Sequence, residues 1–200
     1  MADSQPYHHV NLRQTLLDAA VALIGEVGPR AFTLREVARR AGVSHNAPYR
    51  HFPSKDQLLI AVASEGFDRL TRTMEEHLAV GKSPAERLSL CGCGYVQFAL
   101  TWPQHLLVMF DLPTASKSQC GNPSIGENAF GVLLDCVIAA QQTGDLPAGD
   151  PMPHTWTAWS LVHGIAKLAV SGNLPLDPAA TIHFTRTSTQ QLLNGLRPRA

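Results

Sequence analysis

The stretch from His45 to Ala47, inside VSHNAPYRHF, places small polar groups where a short helix would begin. Asn46 carries a paired donor and acceptor that match the edge of adenine, and Ala47 offers a methyl group to the methyl of thymine. Pro48 stands directly behind them. With Ser44 as the N-cap, Pro48 falls in or beside the first helical turn, where few backbone N–H groups have helical partners to lose. His45, Asn46 and Ala47 then form an exposed, rigid lip.

Other reactive side chains offer less. Cys91 and Cys93 lie two residues apart, which on a helix turns their side chains about 200° away from each other, so they are read as small buried residues and no metal is expected. Cys120 and Cys136 complete a set of four with no disulfide-scaffold spacing, and reduced thiols follow. His163 could serve as a base beside a cysteine or carboxylate, which frames an alternative function: an enzyme or small-molecule carrier. No nucleophile elbow, phosphate loop or metal-ligand helix motif supports it, so no catalytic residue and no cofactor is expected.

The elements that must position these groups are helical throughout. Apolar residues recur at helical spacing, and no run alternates with period two. The first helix spans about residues 10–27, with Leu16, Leu17, Ala20, Leu23, Ile24 and Val27 on one stripe and Gly28 as its stop. Thr33 and Glu36 form a capping box for the second helix, which Gly42 ends, and Val43 plugs the small core beyond it. Ser44 caps the third. Ser54 to Gln57 opens a long fourth helix that ends near Gly81, with a stripe from Leu58 to Leu78. Ser83, Pro84 and Glu86 start a fifth that runs to Trp102, and Pro103 divides it from a sixth. The polar loop from Pro113 to Asn122 follows, and Asn122, Asp150 and Asp177, each before a proline, begin three more. The sequence thus predicts an all-α chain of about nine helices.

Net charge is zero, from 16 basic and 16 acidic residues, yet its distribution is uneven. Residues 1–55 hold Arg13, Arg30, Arg35, Arg39, Arg40, Arg50 and Lys55 against Asp3, Asp18, Glu26 and Glu36. A basic contact module at residues 1–55, joined to a body at 56–200, fits that asymmetry. The polar start and the lack of a membrane-length apolar run lead to the expectation of a soluble, cytoplasmic protein with no membrane partner.

Three short helices with tight turns, the second and third joined by AGVS, have the proportions of a helix-turn-helix unit. AA and LI in the first helix, then TLREVARRAGVS, YRHF and SKDQLL, resemble the DNA-binding domain of TetR-family (AcrR-like) transcriptional regulators over about residues 12–60. The resemblance implies that the third helix enters the major groove, that Tyr49, His51 and Lys55 lie at phosphates, and that Thr33 touches the backbone. The candidate DNA-contact set is therefore Thr33, Arg35, Ser44, His45, Asn46, Ala47, Pro48, Tyr49, Arg50, His51 and Lys55. HNAP departs from the family pattern, so no operator sequence is carried over from a relative.

Thr155 to Gly172 is apolar nearly all round and must be covered on several sides. Trp156, Trp159, His163 and Val170 form one stripe; Leu161, Ile165, Leu168 and Ala169 form another. Gly164 admits a close neighbour. One stripe is expected to line a cavity and the other an interface completed by Ile182, Leu192, Leu193 and Leu196. Trp159, His163 and Gly164, with YVQFALTWPQHLLVMF, also resemble a C-terminal subgroup named for its Trp-His-Gly signature, which implies ligand binding and dimerisation. Tyr95, Phe98, Trp102, Met109, Phe110, Phe130, Trp156, Trp159 and His163 are the candidate effector contacts. A repressor follows as the expectation: a homodimer, joined through its last two helices, that reads a palindromic double-stranded operator and is released by a small-molecule effector. Tilting of the long fourth helix would change the half-site spacing.

Overall fold

The computed structural model describes residues 12–111 and 127–197. Among them every regular element is helical: α1 (Leu12–Val27), α2 (Leu34–Arg40), a 3₁₀ turn (Pro48–Arg50), α3 (Lys55–Leu78), α4 (Pro84–Thr101), α5 (Pro103–Asp111), α6 (Glu127–Gln142), α7 (Met152–Val170) and α8 (Pro178–Leu196). The all-α expectation is met. The loop from Pro113 to Asn122, Cys120 and the helix start at Asn122 lie outside the described residues. So does the chain before Leu12.

One element changes kind. The expected third α-helix is a turn followed by the 3₁₀ segment. Ala47 N–H donates to the Ser44 carbonyl (2.9 Å), and His51 (2.9 Å) and Phe52 (2.8 Å) both donate to the Pro48 carbonyl. Pro48 has no N–H for the Ser44 carbonyl, so the bond that would propagate an α-helix from Ser44 is missing. Ser44 thus closes a tight turn instead of capping a regular helix.

The chain divides into two compact units, the first ending at Val62 and the second beginning at Ala63. The division falls inside α3, beyond the boundary at 55/56 that charge distribution suggested. In the first unit, Leu16, Leu17, Ala20, Leu23 and Ile24 of α1 are buried, as are Leu34, Val37 and Ala38 of α2. Val27 departs from the expected stripe, being 52% exposed in the last turn of α1. Glu36 N–H donates to the Thr33 hydroxyl (3.3 Å) while the Glu36 carboxylate accepts from Thr33 N–H (2.7 Å), completing the capping box. At the far end Gly42 adopts φ +69°, and Val43 N–H reaches back to the Ala38 carbonyl (3.0 Å). That positive φ is the Schellman stop that aims the following turn away from α2.

In the second unit α4 packs against α6, α7 and α8. Two glycines of α4 admit close neighbours, Gly94 toward α3 and Gly92 toward α7. A Cβ at Gly94 would sit 2.8 Å from the Met74 Cα, and one at Gly92 would sit 2.9 Å from the Val162 Cγ1. Neither was singled out by the sequence reading. Ser83 and Asp177 cap as expected, accepting from Glu86 N–H (3.2 Å) and Ala180 N–H (2.8 Å). Asp150 accepts from Met152 N–H (3.0 Å), and α7 begins at Met152, one residue past the expected proline. Thr181, Thr185 and Thr189 are buried on α8 by returning their hydroxyls to carbonyls four residues back. Ser89 and Thr189 also share a hydrogen bond of 2.7 Å between α4 and α8.

Candidate functional site

The tip of the first unit presents polar groups that the chain itself leaves unused. Ser44, His45, Asn46, Tyr49, Arg50 and His51 are exposed, Ala47 is half-buried and Pro48 is buried. Among the described residues, none of His45, Asn46, Tyr49 or Arg50 spends its side chain on a hydrogen bond or ion pair within the chain. Pro48 therefore shapes the tip from beneath rather than lending surface to it. Phe52 anchors the same segment: it is buried, and the Arg13 guanidinium lies 5.4 Å from its ring centre.

Around the tip, Thr33 and Arg35 are exposed at the start of α2. The Thr33 hydroxyl donates to the Glu36 carboxylate (2.9 Å), and that bond, with the one from Thr33 N–H, holds the Glu36 carboxyl below its ordinary range. Lys55 is more committed than its sequence suggested. Its ammonium donates to the Arg30 carbonyl (2.8 Å) and sits 4.5 Å from the Phe32 ring centre, and burial pushes the amine's pKa down. One of three N–H donors is used there, which leaves two for an external anion. Arg40 pairs with Glu26 (2.7 Å), whereas Arg35 and Arg50 make no such pair among the described residues.

The aromatic residues of the body are sorted differently. Tyr95, Phe98 and Met109 are fully buried. Tyr95 packs edge-on against Trp159, with ring centres 5.2 Å apart, and Phe110 contacts both Trp159 (6.2 Å) and His163 (4.6 Å). Phe130 joins at Trp159 (5.6 Å). The Tyr95 phenol lies 2.8 Å from Nδ1 of His163. Burial pushes the phenol pKa up, so it keeps its proton and donates; burial and then Lys167 hold the imidazole below its ordinary value, so it stays neutral and accepts. The partner of His163 is thus a phenol, where the histidine of a Ser-His-Asp triad is held by a carboxylate. Phe98 and Trp102 form a second pair (5.7 Å), capped by the Arg69 guanidinium over the indole (5.2 Å).

Trp156 is not part of this cluster. It is 58% exposed, as are Leu168 (48%) and Phe184 (42%) in part. The buried face of α7 is Thr155, Ala158, Val162, Ile165 and Ala166, which leaves Trp156 and Leu168 facing outward. A Cβ at Gly164 would meet nothing within 4 Å, so the close neighbour expected there is absent from the described chain.

An apolar cavity of about 20 Å³ lies among α3, α4, α6, α7 and α8, room for one water-sized molecule. Of the nine candidate effector contacts only Tyr95 and Trp159 line it. Its other walls include Met74, Leu88, Cys91, Leu133, Val162 and three residues of α8, Leu192, Leu193 and Leu196. All three, expected at an interface, line this cavity; Leu193 is buried, and Leu192 and Leu196 are half-buried. Their spacing marked an apolar face without revealing which neighbour it met. Among the described residues no cluster of His, Cys, Asp or Glu could hold a metal ion, and no helix is long and apolar enough to cross a membrane.

Comparison with known proteins places both units. Residues 16–62 match the family model for bacterial regulatory proteins of the tetR family, and residues 88–189 match the tetracyclin repressor-like C-terminal domain. The narrower Trp-His-Gly likeness stays an expectation. The chain is similar to the HTH-type transcriptional repressor KstR of Rhodococcus jostii, 37% identical over 140 residues that cover 70% of this chain and 64% of that one. It is 39% identical over 77 residues to the HTH-type transcriptional regulator BetI of Rhizobium meliloti, covering 38% of each chain. These matches span from about two fifths to two thirds of the curated relatives' lengths. Among solved structures, a protein of unknown function from Rhodococcus sp. RHA1 superposes with a TM-score of 0.82 at 32% identity, covering 98% of this chain and all of that one.

Proposed function

Because this chain belongs to the TetR family of bacterial regulatory proteins, we propose that it is a DNA-binding transcriptional repressor that acts as a homodimer on a palindromic operator and is released by an apolar small molecule. The observation that carries this reading is the exposed, unpartnered set His45, Asn46, Tyr49 and Arg50, held out by the buried Pro48. Asn46 and Ala47 read base edges; Tyr49, His51, Arg50, Arg35, Thr33 and the free donors of Lys55 meet phosphates. Ser44 and Pro48 fix the lip's shape.

A second copy doubles the contacts and reads a second half-site about 34 Å away or a multiple of that. The outward faces of α7 and α8 suit such a copy, since Trp156, Leu168 and Phe184 are large apolar groups in water and Gly164 between them admits close approach.

The effector pocket is the apolar cavity beside Tyr95 and Trp159. At about 20 Å³ it must open before it holds a metabolite, so the ligand selects a form in which the surrounding helices have moved. Helix α3 contributes residues to both units, and its tilt would change half-site spacing. The wall is mostly apolar, with His154 and Thr189 among its polar members, and favours an uncharged or long-chain ligand body. A solved structure sharing this fold, FadR of Bacillus subtilis, is described in complex with stearoyl-CoA; it has a TM-score of 0.78 at 18% identity and covers 92% of this chain and all of that one. DNA as the partner implies action in the cytoplasm and requires no turnover of the ligand.

Selection of bound duplexes from a random pool by the purified protein tests this function. A recovered palindrome, followed by its release in a screen of apolar metabolites, is expected. Failure of any duplex to enrich would remove the reading.

A further inference from the structure

Most polar groups in the wall of the apolar cavity are already spent, and the exception stands at its opening. The Tyr95 phenol donates to Nδ1 of His163 (2.8 Å). The Thr189 hydroxyl lies 2.9 Å from the Arg186 carbonyl and 3.0 Å from that of Thr185, and it shares a hydrogen bond with Ser89 (2.7 Å). Cys91 contributes only a weak thiol donor, and Trp159 a single N–H on a ring packed against Tyr95, Phe110 and Phe130. His154 is different. It lines the cavity, and among the described residues its imidazole makes no hydrogen bond or ion pair within the chain. A neutral imidazole has one donor and one acceptor to offer.

Burial locates the opening. Most of the wall is buried, from Met74 on α3 to Leu193 on α8, and the partly exposed members are His154, Trp159, Leu192 and Leu196. His154 comes from the first turn of α7, and Leu192 and Leu196 from the last turns of α8, so the cavity meets water where those two helix ends lie side by side. Trp156, on the face offered to a second copy, lies about 200° round α7 from His154, which puts the opening and that face on different sides of the helix. The charges at this end decide the kind of head group. Asp145 and Arg197, the chain neighbours of Leu146 and Leu196, pair at 3.5 Å and cancel. Asp150 remains, accepting from Met152 N–H at the start of α7, and no lysine or arginine lines the cavity among the described residues. A carboxylate or phosphate entering here would give up water without meeting an unpaired cation, which costs far more than burying a hydrogen-bonded neutral group.

We propose that His154 is the polar contact of the effector site and that the ligand it selects is an uncharged amphiphile: an apolar body in the opened cavity, with one terminal hydroxyl or carbonyl oxygen at the imidazole. This rests on the effector reading and narrows it to a ligand class. A hydroxyl donates to one ring nitrogen or accepts from the other, whereas a ketone only accepts. A single polar group at the mouth of an apolar pocket fixes which end of the molecule enters first.

Titration of the full chain with 1-decanol, 2-decanone and decanoate, followed by tryptophan fluorescence, tests the assignment. The alcohol and the ketone are expected to bind, and decanoate roughly tenfold or more weakly. In His154→Phe, which keeps a ring but no polar atom, 1-decanol should bind roughly tenfold more weakly than to the parent, and His154→Gln, which keeps a donor and an acceptor, should restore most of that loss. If His154→Phe fails to fold, the His154 ring resonances of the parent, identified by their loss in His154→Gln, decide: they should move on addition of 1-decanol. Decanoate binding as tightly as 1-decanol, unchanged 1-decanol affinity in folded His154→Phe, ring resonances that stay still, or binding of none of the three would overturn the assignment. The effector reading itself falls on a different result, an operator that no apolar metabolite releases.

Discussion

The tip at residues 44–51 and the aromatic body around Tyr95 are both rich in groups able to bind, yet they are built in opposite ways. At the tip, polar side chains stand in water while a proline and a phenylalanine hold the backbone from below. In the body, Tyr95 and His163 already satisfy each other, and the rings around them touch face and edge with little space left. A surface of the first kind is ready to dock without rearrangement. A core of the second kind gains a ligand only by changing shape, and that is what a sensing domain needs.

The contrast can be broken most forcefully at Phe98. Phe98→Ala removes a fully buried ring, and a loss of about 3–5 kcal/mol in denaturant unfolding is expected. A loss below about 1 kcal/mol would mean that the body is loosely packed and the contrast is wrong. Asn46→Ala is its counterpart at the tip. It should cost about 1–3 kcal/mol of base discrimination at one position per half-site, with stability unchanged to about 0.5 kcal/mol. Identical selection profiles for variant and parent would take Asn46 out of the reading set.

Tyr95→Phe sharpens the comparison by unmaking the part-buried hydrogen bond between Tyr95 and His163, with an expected cost of about 1–2 kcal/mol from the stranded imidazole nitrogen. His163 also gives this body a pH signature. Its folded pKa lies below the ordinary 6.5, so the unfolded chain binds the extra proton first. Stability should be full above pH 6.5 and decline as pH falls from there to the folded pKa. His163→Gln should flatten that decline in melts run across the window. An equally steep decline in the variant would assign it to other groups. The smallest effect belongs to Lys55→Ala, expected to lower the slope of log affinity against log salt by about one unit. Because its ammonium also ties to the Arg30 carbonyl, a stability loss with an unchanged slope would reduce Lys55 to an internal brace.

Helix boundaries were legible in the sequence wherever local chemistry decides them. Thr33, Ser83 and Asp177 each accept a backbone N–H from three residues ahead, and Gly42 takes the positive φ its position asks for. The form of the Pro48 segment was not legible, because a missing N–H leaves α-helix and tight turn nearly balanced and the packing of Phe52 and Pro48 tips the outcome. Trp156 and Trp159 could not be told apart either. They lie three residues apart on a helix apolar on every side, and only the neighbours of α7 decide that one joins Tyr95 and the other faces water. Gly92 and Gly94 carried a signal in their alternation with Cys91 and Cys93, a run of small side chains on the helix that packs most closely.

Titration of a selected palindrome and a shuffled duplex of equal length, across a series of salt concentrations, tests the tip most directly. Affinity for the palindrome should exceed that for the shuffled duplex by about 10³-fold or more, and both should weaken linearly on a log–log plot with rising salt. Equal affinities for the two duplexes, or binding indifferent to salt, would contradict a DNA-reading role for residues 44–51.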